Sequence, residues 1–286
     1  MARSSLCVLI RLLWSHIAAT AFAVRESFDE VSLLQLGISL QHVAPIRARD
    51  SGAEQIVVAC VGDSITEGNY TEAGLPYPEQ LQEILGSGYT VKNFGDGGAA
   101  AMKHPIAAHP GATYPHSFWN STQFANALTS QPDIVVIMFG TNDVQAPNFS
   151  PTEFKMDYSA LIDRFSELPS NPLVFLVLPP PLYGDRYPSL AYSFVPSSGG
   201  IIVSRAEHFL PTIIQELAEE HDLPPAIDVH STFLAHCPDI DTWCDWMSNP
   251  WNYPESPVQG MHPNEHGAAM LAHTISEPIL RSLSHV

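Results

Sequence analysis

The sequence predicts an α/β domain in which a parallel sheet is covered on both faces by helices. Three observations carry this. Short, continuously apolar runs recur and read as strands buried on both sides. Segments with helical spacing alternate with them. Glycines, prolines and Asn-Asp pairs punctuate the carboxyl ends of the runs.

In order, Gln55–Val61 is the first buried strand and Pro78–Leu85 follows with helical spacing. Tyr89–Phe94 is a short strand, and Asp133–Phe139, flanked by Pro132 and Gly140, is the strongest. Thr152–Leu168 places Phe154, Tyr158, Leu161, Ile162 and Phe165 on one helical face. Leu173–Leu178 is an apolar strand stopped by Pro179-Pro180-Pro181. A long helix over Ile202–His221 buries Phe209, Leu210, Ile213, Ile214 and Leu217. Pro225–Val229 is the fifth strand and Glu265–Leu283 the closing helix. In such sheets the ligand site lies beyond the carboxyl ends of the strands, near the topological switch point.

Composition narrows the function classes. The 286 residues are 45% hydrophobic and 15% charged, which excludes disorder and a disulfide-dense miniprotein. No apolar run reaches the roughly 20 residues that span a bilayer. Twelve Lys+Arg against 30 Asp+Glu give a formal charge of −18, which repels nucleic acid and anionic lipid alike. Neither a nucleic-acid partner nor stable membrane association is expected. Oligomeric state is not legible.

Residues 1–23 have the layout of an export signal: Arg3, an apolar stretch Leu6–Trp14, then Ala21-Phe22-Ala23 as a small-x-small cleavage site. Arg11 interrupts the stretch, so a short buried helix is the competing reading. Residues 24–54 read as an N-terminal extension ending in a linker, and 55–286 as the catalytic-type domain. A secreted or secretory-pathway protein is the expectation. Three Asn-x-Ser/Thr sequons, at Asn69, Asn120 and Asn148, agree with export, although Pro151 follows the last. Cys7 leaves with the signal, and Cys60 falls in the first strand. Cys237 and Cys244 bracket a short loop, where a disulfide or two free thiols are both open. No other Cys or His is read at zinc-ligand spacing beside them.

Four segments carry the chemistry. Gly62-Asp63-Ser64-Ile65-Thr66-Glu67-Gly68 follows the first strand, and Ser64 there is either a nucleophile or a helix cap. The nucleophile elbow Gly-x-Ser-x-Gly does not fit, because Thr66 stands at the second glycine. Asn93-Phe94-Gly95-Asp96-Gly97-Gly98 follows the second strand and Gly140-Thr141-Asn142-Asp143 the third. Gly260-Met261-His262-Pro263-Asn264 opens the last helix. Together they supply what acyl transfer needs. Ser64 can attack a carbonyl and His262 can take its proton. The amides of Ser64 and Gly98, with the Asn142 side chain, can hold the oxyanion.

On these blocks the chain resembles the SGNH hydrolases, or GDSL-type esterases, over roughly residues 55–282. The resemblance implies a flavodoxin-like three-layer α/β/α fold with a five-stranded parallel sheet. It implies ester hydrolysis through an acyl-enzyme, with no cofactor and no metal. By position Ser64 matches the nucleophile, His262 the base, and Ser64, Gly98 and Asn142 the oxyanion hole. Tyr77–Leu85, Asp133–Asp143 and Leu173–Pro181 look most like the carbohydrate and sialate O-acetylesterase branch, which implies a small-molecule or glycan ester as substrate. A lysophospholipase-like enzyme and an impaired glycan-binding protein remain as alternatives.

One departure stands out. The family places an Asp three residues before the histidine, and this chain has Gln259 there. A neutral amide can orient the imidazole but cannot offset the imidazolium charge. The site could work as a dyad, borrow Glu255, Asp245 or Asp228, or have lost catalysis. Asp96 is expected to face solvent or cap the next segment. The loop 102–119 holds His104, His109 and His116 without compact metal spacing, and prolines 105, 110 and 115 break any helix. It reads as one wall of a substrate site. Trp243, Trp246, Trp251 and Tyr253 read either as the other wall or as the core of a small subdomain.

Overall fold

A computed structural model describes residues 55–69, 75–107, 113–183, 199–249 and 260–283, the side chains of 199–204 excepted. All belong to one compact unit, Pro45–Val286. The expected signal 1–23 and extension 24–54 lie outside the described residues.

The strands are β1 (Ile56–Gly62), β2 (Tyr89–Gly95), β3 (Ala99–Ala100), β4 (His116–Ser117), β5 (Ile134–Met138), β6 (Leu173–Leu178) and β7 (Ile227–Asp228). Five form one parallel sheet in the order β2-β1-β5-β6-β7, and β3 pairs with β4. Val58 sits in register between Val91 on one side and Ile134 on the other. The strand order reverses about β1, so a crevice opens at the carboxyl ends of β1 and β5.

Period-two alternation feeds two separate cores. Val58, Cys60, Val136, Met138, Phe175 and Val177 point to one face, and Ala59, Val61, Val135, Ile137, Val174 and Leu176 to the other. Fully burying each large aliphatic side chain is worth about 1.5–3 kcal/mol, so neither face tolerates water. The first face is covered by α2 (Tyr77–Leu85), α6 (Val229–His236) and α7 (Glu265–Leu283) through Leu81, Phe233, Leu271 and Ile275. The second is covered by α3 (Thr122–Thr129), α4 (Pro151–Ser166) and α5 (Gly199–Glu220) through Ala127, Phe154, Leu161, Leu210 and Ile214. A four-residue helix α1 (Ser64–Glu67) follows β1 directly. The result is the expected three-layer α/β/α sandwich.

Local signals place the ends. Ser150 caps α4 by accepting from the Glu153 amide at 3.4 Å, and Pro151 fills the first turn. Ser121 caps α3 in the same way, at 3.0 Å from the Phe124 amide.

Two expectations need correction. The strand expected over Pro225–Val229 is only Ile227–Asp228, because Asp228 turns to accept from the Ser231 amide at 2.8 Å and starts α6. The segment 102–119 is not all loop, since His116 and Ser117 pair in parallel with Ala99 and Ala100. Among the described residues no helix is long and apolar enough to cross a membrane.

Candidate active site

β1 delivers its carboxyl end into α1 without a loop. That close turn requires glycine at Gly62, where a Cβ would lie 2.7 Å from the Met138 carbonyl of the next strand. Asp63, not Ser64, caps α1: its Oδ1 accepts from the Ile65 amide at 2.9 Å. The Ser64 side chain is therefore not used as the cap. Its Oγ lies 2.7 Å from Nε2 of His262, a buried contact between residues 198 apart in sequence.

Gly98 follows β2 with φ +85°, a left-handed conformation that glycine adopts freely. Its carbonyl accepts from the His116 amide at 3.1 Å, which ties it to β4. Asn142 follows β5. Its Nδ2 donates to the Ala99 carbonyl at 3.0 Å, and its Oδ1 accepts from Nε2 of Gln145 at 3.1 Å. One amide proton is thus committed to fixing the side chain, and a primary amide carries two.

The sequence reading gave no role to Asp143, yet this buried carboxylate knits two blocks together. It accepts from the Met102 amide at 2.8 Å and the Ala101 amide at 3.2 Å. The segment just beyond Gly98 is thereby pinned to the segment that carries Asn142. Burial raises Asp143 to about 7, against the pull of those two amides. Burial likewise raises Asp63 to about 7, opposed by the Ile65 amide and reinforced by the charge of Asp143. The available signal for Asp143 was an acid just past the carboxyl end of the most apolar strand, where a parallel sheet gathers its functional residues.

His262 is carried by loop backbone. The Ser248 amide donates to the His262 carbonyl at 2.8 Å, and the Gly260 amide to the Ser248 carbonyl at 2.7 Å. Asn264 donates its Nδ2 to the carbonyls of Asp245 at 2.7 Å and Met247 at 3.2 Å, and accepts from the Gly267 amide at 3.2 Å. Cys237 and Cys244 are bridged, with Cα atoms 5.6 Å apart, just upstream of this knot.

The group supporting His262 was left open between four residues. Gln259 and Glu255 lie outside the described residues. Asp245 is committed to Nε2 of His236 at 2.7 Å, and Asp228 caps α6. Asp96 stays partly exposed to solvent, as one of its two expected placements has it, and its Oδ2 lies 3.1 Å from Nε2 of His116. Trp246 stacks on His236 at 3.7 Å and meets the Phe233 edge at 5.3 Å, which fits the subdomain-core reading. Trp251, Tyr253 and His109 lie outside the described residues.

The reading of ligand spacing overlooked His236. Its ring, Cys237 and Asp245 present donor atoms within 4.8 Å of one another. With Cys237 in a disulfide no thiolate is offered, and this trio carries no metal argument.

A buried serine and histidine, joined at the carboxyl edge of a three-layer parallel sheet, define the class as an SGNH-type hydrolase fold. Residues 60–270 match the GDSL-like lipase/acylhydrolase family, and the chain belongs to it. The family is one of carboxylic ester hydrolases. An acetylxylan esterase of Xylanibacter ruminicola is 30% identical over 246 residues, which cover 79% of this chain and 43% of that protein. The chain thus spans less than half the length of that relative. A carbohydrate acetylesterase family member from Sinorhizobium meliloti shares the fold at a TM-score of 0.58 and 20% identity, covering 80% of this chain and all of that one. An acetyl xylan esterase structure, AlAXEase, aligns at a TM-score of 0.50 and 23% identity, covering 78% of this chain and 100% of its own.

Proposed function

We propose that this chain is a secreted serine esterase that removes small acyl groups, acetyl foremost, from a glycan or a similarly polar substrate. The observation that carries the reading is the 2.7 Å contact between Ser64 Oγ and His262 Nε2. A nucleophile and base within hydrogen-bond reach are the geometric requirement for acyl transfer.

Ser64 Oγ attacks the ester carbonyl carbon as its proton passes to His262 Nε2. The oxyanion of the tetrahedral intermediate takes hydrogen bonds from the Ser64 and Gly98 amides and from Asn142 Nδ2. Collapse expels the alcohol, which takes the proton back from His262 and leaves an acyl-Ser64 ester. Water then adds to the acyl carbon while giving a proton to His262. The second intermediate releases the carboxylic acid and restores Ser64. Asp63 and Asp143 position the turn and the oxyanion segment, and take no part in these transfers. The 30% identical acetylxylan esterase supports acetyl as the acyl group and a polysaccharide as the carrier. The signal-like residues 1–23 and the disulfide support export.

The test is hydrolysis of p-nitrophenyl acetate and octanoate by residues 24–286 and by Ser64→Ala. Turnover of acetate that Ser64→Ala lowers by at least about 10³-fold is expected. Turnover equal in parent and variant overturns the mechanism, and a preference for octanoate moves the substrate to lipids. In Gln259→Asp, a gain in kcat identifies an imidazole that lacked a carboxylate.

A further inference from the structure

Next to the segment that carries Gly98 lies an open cleft of about 620 Å³, lined by polar residues that present their carbon atoms as well as their polar groups. Asp96, His116, Ser117, Asn120, Gln123 and Asn126 contribute to it. We infer that it is a saccharide subsite, holding sugar residues next to the one that bears the scissile acyl group. The inference rests on the esterase reading for its placement, not for its chemistry.

The chemistry comes first. Asp96 and His116 pair at 3.1 Å, so the cleft's acid and its imidazole satisfy each other. The remaining named groups are neutral amides and hydroxyls, and beyond the first turn of α3, which Ser121 already caps, they offer no charge for an ion to pair with. Planar amides with paired donors and acceptors suit the vicinal hydroxyls of a sugar ring. The chain's excess of acids further disfavours an anion.

A second observation comes from Ser117. It lines the cleft at 7% exposure, and its Oγ is buried without a hydrogen-bond partner. A buried hydroxyl left unpaired is costly, and such groups call for an explanation. A sugar hydroxyl entering the cleft would supply the partner after a small rotation of the Ser117 side chain.

Position completes the argument. The Asp96 carbonyl accepts from the Ala99 amide at 3.0 Å, and the His116 amide donates to the Gly98 carbonyl at 3.1 Å. A Cβ on Gly98 would lie 3.5 Å from the His116 ring. The Asp96–His116 pair therefore clasps the residue assigned to the oxyanion. Asp96 and His116 thus both flank Gly98 and line the cleft, so a carrier sugar whose acyl group sits at Gly98 would adjoin it.

The test uses residues 24–286 prepared without N-glycans, because Asn120 is itself a sequon. Xylotetraose is titrated calorimetrically into the parent, the Gln123→Ala/Asn126→Ala double variant, and Ser117→Ala. The three are also compared on acetylated xylotetraose and p-nitrophenyl acetate. Weaker xylotetraose binding in the double variant is expected, about tenfold. The ratio of kcat/KM for the acetylated oligosaccharide to that for p-nitrophenyl acetate should fall by a similar factor, through KM. Ser117→Ala should weaken binding less while raising Tm, the opposite of a merely structural hydroxyl. A parent that binds no xylotetraose, or a double variant that binds it equally well, overturns the subsite. Loss of p-nitrophenyl acetate turnover in the parent would sink the esterase reading instead, and the titration would still decide the subsite.

Discussion

Ser64, Gly98 and Asn142 each follow a strand of the main sheet within four residues, whereas His262 is held by loop backbone between a disulfide and the start of α7. The first group inherits its positions from β1, β2 and β5, whose registers are fixed by parallel ladders about the buried β1 and β5, with β2 at the sheet edge. The histidine inherits its position from a handful of hydrogen bonds through Ser248, Gly260 and Asn264. The nucleophile side should therefore resist perturbation as a rigid body, and the base side should yield to single substitutions that touch no reacting atom. That contrast can be broken or sharpened experimentally.

The largest effect belongs to the oxyanion side. Asn142→Ala should lower kcat by about 10²–10³-fold with little change in KM, as removal of one preorganised donor does. Steady-state kinetics on p-nitrophenyl acetate checks it, and a fall in affinity alone would contradict the assigned role. On the base side, the Cys237→Ser/Cys244→Ser pair releases a short loop, and chain-entropy arguments put the loss at about 2.5 kcal/mol. Urea unfolding measures this. A fall in activity at temperatures where the protein stays folded would show that the bridge also steadies His262. Asn264→Ala removes the cap of α7 and two bonds to the preceding loop, and should cost about 1–2 kcal/mol with a several-fold drop in kcat. Equal kcat in that variant would mean that the loop needs no staple.

The smallest effect is on pH dependence. Asp63 is raised to about 7 from its ordinary 3.8, so between those values the folded state holds more protons than the unfolded one. Stability from this group falls as pH rises through that window, and the loss is complete above pH 7. Asp63→Asn keeps the capping oxygen and removes the titration. Its Tm should decline less from pH 5 to 7 than the parent's, by about 1 kcal/mol or more in stability. Identical slopes would place the burden on Asp143 alone.

The same division governs what could be read from the sequence. Leu173–Leu178 and Glu265–Leu283 have the bounds expected of them, because continuous burial and helical spacing leave few alternatives. The site blocks were legible for a related reason: a parallel sheet puts functional residues just past strand ends. What escaped was local or long-range chemistry. Thr122–Thr129 is only two turns long, so the spacing of Phe124, Ala127 and Leu128 gives a single helical repeat, and its start is set by the Ser121 cap. Val229 looked like the end of a strand and instead begins a helix, since the Asp228 cap outweighs β-branching. Asp143 takes its partners from more than 40 residues upstream, a pairing that no spacing rule announces.

Cys60 has a bearing on how the chain acquires its bridge. It is the free cysteine among the described residues, and burial in β1 pushes its thiol up to about 12. Thiol–disulfide exchange runs through the thiolate, so at neutral pH the folded chain holds almost no attacking species at Cys60. The strand that delivers Ser64 thereby protects the fidelity of oxidative folding. Once β1 is in the sheet, burial and a protonated thiol both hold Cys60 back from exchange with the Cys237–Cys244 pair.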